Sequence, residues 1–310
     1  MSKKEQIIEK LKELGFNFLY IENEIGEEFQ NEDVISDELK KKMSDDLKRL
    51  DITSTIENAK NIVETVCDNY HNIFDTIDIR NSNDYLFKHS IMVAEFSIAI
   101  GIKLNLNQRE LVNLATSALL HDIGKLCINK ELLDKIKLSD KELMYQEKLH
   151  PIYAYSLLSK VPEITATTKT AILFHHRNED GTGFPENIKV PDHIFYKILH
   201  VADTYDNLIS SKNGMNPSDA LEYLYANSGT LFNVDVVNAF KSCIPIYPRG
   251  IEVKLSNGLD GVVIDNTGDK SRPKIKVLIK GTNVVFDLRK NLDITIKYVK
   301  TNYEDIEKRY

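Results

Sequence analysis

The chain has 310 residues, a formal net charge of −7, and ordinary fractions of hydrophobic (42%) and charged (28%) residues. That length suits two or three domains of a globular protein, and the acidic balance argues against a nucleic-acid platform while leaving room for a local basic pocket. Cys67, Cys127 and Cys243 are far apart and form no CxxC pair, which argues against a disulfide frame or a zinc knuckle. The first residues lack a signal-like apolar run and no segment reads as a membrane span, so the expected location is cytoplasmic, with no membrane insertion.

Residues 1 to about 80 read as a helical N-terminal region, regulatory or partner-binding. KKEQIIEKLKEL and DDLKRLDITSTIENAKNIVETVCDNYHNIF carry apolar residues at helical spacing, and NEIGEEFQNEDVISDE between them reads as an acidic linker. Residues 81–243 also read as helices: IMVAEFSIAIGIKL, RELVNLATSALL, HPIYAYSLLSKV and SDALEYLYANSG, the last with an N-cap expected at Ser218–Asp219. No strand-like alternation is visible there. From residue 244 the period changes. IEVKLSNGLDGVVIDN reads as two strands about a turn at Ser256–Asn257–Gly258, and RPKIKVLIKGTNVVFDLRK as two more about Gly281–Thr282. The expected fold is mainly α, with a small C-terminal β-barrel or β-meander over 244–310.

Polar ligand-type residues interrupt the apolar helices. LLHDIGKL sets His121 and Asp122 side by side in a core-like run, HPIYAYSLL begins with His150, His175 adjoins His176, and Asp203 lies within KILHVADTYD. A buried imidazole or carboxylate is costly unless paired. A lone histidine on an apolar face is more often a satisfied core residue than a ligand. Adjacent pairs differ, because helical neighbours point in different directions and cannot both face one core, yet both can reach a metal cluster near a helix end. Nitrogen and carboxylate donors together suit iron, manganese or zinc rather than calcium or magnesium.

With these motifs in view, the sequence resembles the HD-GYP subset of HD-domain phosphohydrolases, known as cyclic di-GMP phosphodiesterases. The likeness runs from about Asn83 to Phe240 through DYLFKHSIMVA, HDIGK, KLHPIYAYSLL, HHRNEDGTGFP and VADTYDNL, in order. It implies a helical HD-domain bundle over 81–243 with metal ligands His89, His121, Asp122, His150, His175, His176 and Asp203. Asp122 would be the bridging carboxylate. Seven ligands exceed the needs of one ion, and Tyr85 stands where some members place a glutamate for a third, so two divalent ions, iron or manganese, are expected.

The implied reaction is hydrolysis of the phosphodiester of cyclic di-GMP to linear pGpG, and on to GMP in some members, by a metal-bridging hydroxide. The catalytic residues would be Asp122 and Lys125, and the substrate contacts Lys125, Asp180, Gly181, Gly183, Phe184 and Lys212. Asp180 and Asp206 are further candidates to orient ligand histidines, and His200 is expected beside the site or exposed. Three departures stand out: Phe184 replaces the family's tyrosine, Lys212 and Met215 stand where basic residues are common, and Arg177-Asn178-Glu179 replace residues near the pocket. They leave open a catalytically weak, metal-loaded cyclic dinucleotide sensor, or an HD phosphohydrolase of another nucleotide. The expected partner is a cyclic dinucleotide rather than a nucleic-acid polymer, with homodimerisation or a signalling partner open for the N-terminal helices.

Overall fold

The computed structural model describes residues 35–70, 85–128, 140–210, 214–266 and 269–300. The first helical stretch expected, KKEQIIEKLKEL, lies outside them, as does Lys212. Ten α-helices are described: α1 Asp37–Lys48, α2 Ile52–Asp68, α3 Tyr85–Lys103, α4 Gln108–Leu120, α5 Asp140–Glu147, α6 His150–Leu158, α7 Ala166–Phe174, α8 Ile194–Ser210, α9 Pro217–Ala226 and α10 Val234–Cys243. A 3-10 turn, Ile123–Cys127, follows α4.

Local chemistry sets the helix ends. The helically spaced run from residue 45 is divided between α1 and α2, because Leu50 adopts φ 53° and Asp51 caps α2 by accepting from the Ser54 amide. Ser36 caps α1, so the helix begins inside the stretch expected as linker. Asn107 and Glu110 form a reciprocal capping box at α4. The cap of α9 is Asn216 rather than Ser218, since Pro217 takes the first helical position, where a missing amide costs nothing.

The central helix is α3, which packs against α1, α2, α4, α8 and α10. Nearly every turn of it is buried, from Ile91 through Ile100. Phe96 of α3, Tyr205 of α8 and Phe240 of α10 meet edge to face, with centroids 4.8–5.6 Å apart. This preferred aromatic geometry ties three helices together directly behind the site. The α1 and α2 side chains Met43, Leu47, Ile62 and Val66 belong to the same hydrophobic core. The expected divide near residue 80 therefore falls within one core.

Two short strands, β1 His176–Arg177 and β2 Gly183–Phe184, form an antiparallel hairpin inside the helical part. They are too short for alternation to show in the sequence. The C-terminal part forms a five-stranded antiparallel sheet from β3 Glu252–Leu255, β4 Asp260–Asp265, β5 Lys274–Ile279, β6 Thr282–Asp287 and β7 Ile296–Val299, in the order β6-β5-β4-β3-β7. Both expected hairpins form, the second about Lys280 and Gly281, which take φ 49° and 80°. The barrel alternative is corrected: β7 joins β3 rather than β6, so the described sheet is open. Its own core contains Val253, Leu255, Val263, Ile275 and Val277. No helix among the described residues is long and apolar enough to cross a membrane.

Candidate metal centre

Four ligand-type imidazoles are oriented by one device, an acceptor at Nδ1. Nδ1 of His121 lies 2.7 Å from the Ala118 carbonyl, that of His150 2.6 Å from Glu147, and that of His175 2.7 Å from Ile172. Each partner sits three residues upstream, where a helix end leaves a carbonyl free. His89 uses a carboxylate instead, with Nδ1 2.6 Å from Asp206 Oδ2. A carbonyl or carboxylate only accepts, so Nδ1 carries the hydrogen in all four rings. In the neutral imidazole the Nε2 lone pair then points into the site.

These nitrogens converge on two carboxylates. His89 Nε2 lies 3.0 Å from Asp203 Oδ1 and 3.6 Å from Asp122 Oδ2. His121 Nε2 lies 3.5 Å from Asp122 Oδ2 and 3.6 Å from Asp203 Oδ1. On the other side, His150 Nε2 lies 3.1 Å from Asp122 Oδ1 and 3.2 Å from His175 Nε2. His176 completes the cluster, with Nδ1 3.9 Å from Asp203 Oδ2. Among the described residues three groups have the spacing to hold a metal ion: His89–His121–Asp203, His121–Asp122–His175 and His150–His175–His176. Together they contain the seven side chains expected from the sequence. Asp122 directs Oδ2 toward His89 and His121 and Oδ1 toward His150, as a carboxylate shared by two ions would.

The donor set fits divalent cations on two observations. His121 Nε2 is fully buried and makes no hydrogen bond, its nearest carboxylate oxygens being too distant. The Nε2 lone pairs of His150 and His175 face each other at 3.2 Å, an arrangement that a shared cation relieves. Site electrostatics agree. Burial works to raise Asp122, but His121, Lys125 and His150 hold it well below the usual carboxylate range. Burial likewise opposes ionisation of Asp203, and contacts from His121 and His89 hold it low. Burial lowers His176 to about 3 and pushes His175 well below an ordinary imidazole, with neighbouring histidines adding to the effect on His175. Both rings are therefore neutral, as ligands must be. His89 differs. Burial acts to lower it, but hydrogen bonds to Asp203 and Asp206 raise it to about 9.

The remaining expected residues separate. Lys125 Nζ meets Asp122 Oδ2, and its side chain is 39% exposed at the edge of the cluster. Asp206 orients His89, whereas Asp180 does not reach an imidazole; its carboxylate accepts from the Thr182 amide and hydroxyl within its own exposed loop. Gly181 and Gly183 take φ 83° and 87°, and a Cβ on Gly183 would sit 2.1 Å from the His176 carbonyl. The turn itself requires both. Phe184 lies beside His176, with ring centroids 4.4 Å apart. His200 is buried against Phe232, not exposed. Arg177 donates to the carbonyls of Gly183 and Pro185, and Asn178 to the Thr182 hydroxyl, so both brace the hairpin. Met215 is exposed.

Two contributors were not anticipated. Asn207 donates to Asp203 Oδ1 at 2.7 Å, and its spacing four residues after Asp203 on α8 is the signal that would have found it. Gly124 packs so closely that a Cβ would sit 1.9 Å from the His150 carbonyl. Nothing local in the sequence signals that approach.

The model of one family, the HD domain, matches residues 76–236, just over half the chain. This chain belongs to the HD domain family. The HD domain spans every residue of the cluster, from His89 to Asp203. A curated protein of Pseudomonas aeruginosa named cyclic di-GMP phosphodiesterase is 29% identical over 219 residues, covering 69% of this chain and 52% of its own length. Another of that name, from Borreliella burgdorferi, is 26% identical over 213 residues, covering 66% and 55%. The chain thus spans about half the length of these relatives. The solved structure of an HDG"Y"P protein from Bdellovibrio bacteriovorus matches with a TM-score of 0.55 at 18% identity, covering 77% of this chain and 78% of that one, a likeness of fold.

Proposed function

We propose that this HD domain is a metal-dependent phosphodiesterase that opens cyclic di-GMP to the linear dinucleotide pGpG. The observation that carries the reading is the convergence of five imidazoles on two buried carboxylates, with Asp122 offering one oxygen to each side. The names of the relatives support a cyclic dinucleotide as substrate.

His89, His121, Asp122 and Asp203 would hold one ion, and His150, His175, His176 and Asp122 the other. Nitrogen and carboxylate donors suit iron, manganese or zinc, and the resemblance to the HD-GYP subset favours iron or manganese among them. When bound, such ions supply Lewis acidity and activate water at neutral pH. The protein's own groups orient the reaction. Asp206 and the three helix-end carbonyls fix the imidazole rings, and the buried walls keep bulk water from the carboxylates. Lys125 contacts a non-bridging phosphate oxygen from the exposed edge and offsets charge as it develops. A water oxygen bonds to phosphorus, the bond from phosphorus to the ribose 3′ oxygen breaks, and that oxygen takes up a proton.

The test is incubation of anaerobically purified, iron- or manganese-loaded protein with cyclic di-GMP, followed by chromatography. Appearance of pGpG, absent from chelator-treated samples, is the expected result. Binding without turnover would instead assign the chain as a cyclic dinucleotide sensor, a reading favoured by Phe184 and Lys212 standing in place of the family's tyrosine and arginine.

A further inference from the structure

His176 lacks the device that orients the other four rings. Their Nδ1 atoms lie 2.6–2.7 Å from a carbonyl or carboxylate oxygen, whereas Nδ1 of His176 faces the cluster, 3.9 Å from Asp203 Oδ2, and among the described residues no hydrogen bond holds either nitrogen of its ring. It is the most exposed of the cluster, with 22% of its side chain accessible, and it sits on a two-residue strand instead of a helix end. What does contact the ring is aromatic. The Phe184 ring lies 4.4 Å away at 31° and the His175 ring 4.0 Å away at 43°. Phe184 is the cross-strand partner of His176 in the hairpin register. Cross-strand aromatic pairs fix each other's orientation. The hairpin is itself braced, because the Arg177 guanidinium donates to the carbonyls on either side of Phe184, those of Gly183 and Pro185.

We propose that Phe184 is a positioning residue that replaces, by ring stacking, the hydrogen-bonded anchor His176 lacks, and so secures the ion held by His150, His175 and His176. This rests on the metal-centre reading and is independent of which nucleotide is hydrolysed. It needs a flat ring and no hydroxyl, in keeping with phenylalanine at this position.

The experiment compares Phe184→Leu and Phe184→Tyr with the parent protein. Metal content is measured after dialysis against a graded chelator series, and KM and kcat for cyclic di-GMP are measured on fully loaded protein. Positioning partners of metal ligands are worth about 10–100-fold in affinity. Phe184→Leu is expected to lose one of two ions at chelator concentrations at least about tenfold lower than the parent, with kcat falling and KM unchanged in the loaded enzyme. Phe184→Tyr is expected to restore parental retention. Circular dichroism and the midpoint of thermal unfolding establish that each variant is folded. Should Phe184→Leu fail to fold, Phe184→His, which keeps a flat ring, is expected to retain both ions. Unchanged metal retention in folded Phe184→Leu would overturn the proposal, and a raised KM beside it would make the ring a substrate contact. If the parent holds no metal, the metal-centre reading itself fails, and that outcome is distinct.

Discussion

His89 is gripped by carboxylates at both nitrogens, Asp206 at Nδ1 and Asp203 at Nε2, and its raised value near 9 follows from that pairing. In metal-depleted protein the ring therefore carries a proton at pH 7, and ligation through Nε2 must expel it. Metal uptake at pH 7 should release this proton, and apparent affinity should rise with pH until about 9, then level off. His176, lowered to about 3, is already neutral there and adds nothing to this slope. Calorimetric titration in buffers of different ionisation enthalpy measures the release, and a pH-independent affinity would remove His89 from the ligand set. Asp206→Asn weakens the orientation of the same ring and should cost about 10–100-fold in metal affinity. Asp122→Ala removes the shared carboxylate and should abolish both metal occupancy and turnover; metal analysis showing two retained ions would refute the bridging role.

At the scale of elements, a ligand's position depends on how closely helices approach. The 3-10 turn after α4 carries Gly124 against the first residues of α6, with no room for a methyl group. Gly124→Ala should push α6 and its His150 away from Asp122, at a cost of about 1–3 kcal/mol or more for overpacking. Denaturant unfolding reads the stability loss, and metal analysis the accompanying loss of affinity. The capping box of α4 offers a contrast. Asn107→Ala should cost about 1 kcal/mol while metal content holds, because that end of α4 is remote from His121. Periodicity made most of these helices legible in the sequence. They did not reveal the β1–β2 hairpin, whose strands are too short to carry a period, nor the edge strand β7, whose pairing with β3 spans more than forty residues.

Among the described residues there are two hydrophobic cores, one shared by the helices other than α5 and one within the sheet. Every candidate ligand lies in the first. Metal binding should therefore stabilise the helical core by about 2.7 kcal/mol at a hundredfold excess over Kd. A chelator should lower the unfolding midpoint followed by helical signal in circular dichroism. An unchanged midpoint would mean that the cluster binds no metal in the native state.

Apolar periodicity is local, so the helices were readable in the chain itself, and His121, Asp122, His150, His175, His176 and Asp203 stood out against it, while the resemblance to a known family added His89 and the order of the whole set. Only the tertiary structure decided how they are held. Asp206 meets His89 across 117 residues, Asp180 turns away into its own loop, and His176 rests on a ring where its neighbours rest on oxygen. Those outcomes depend on which helix ends and strand faces meet, and that is set by packing between segments whose separation along the chain bears no relation to their distance in space.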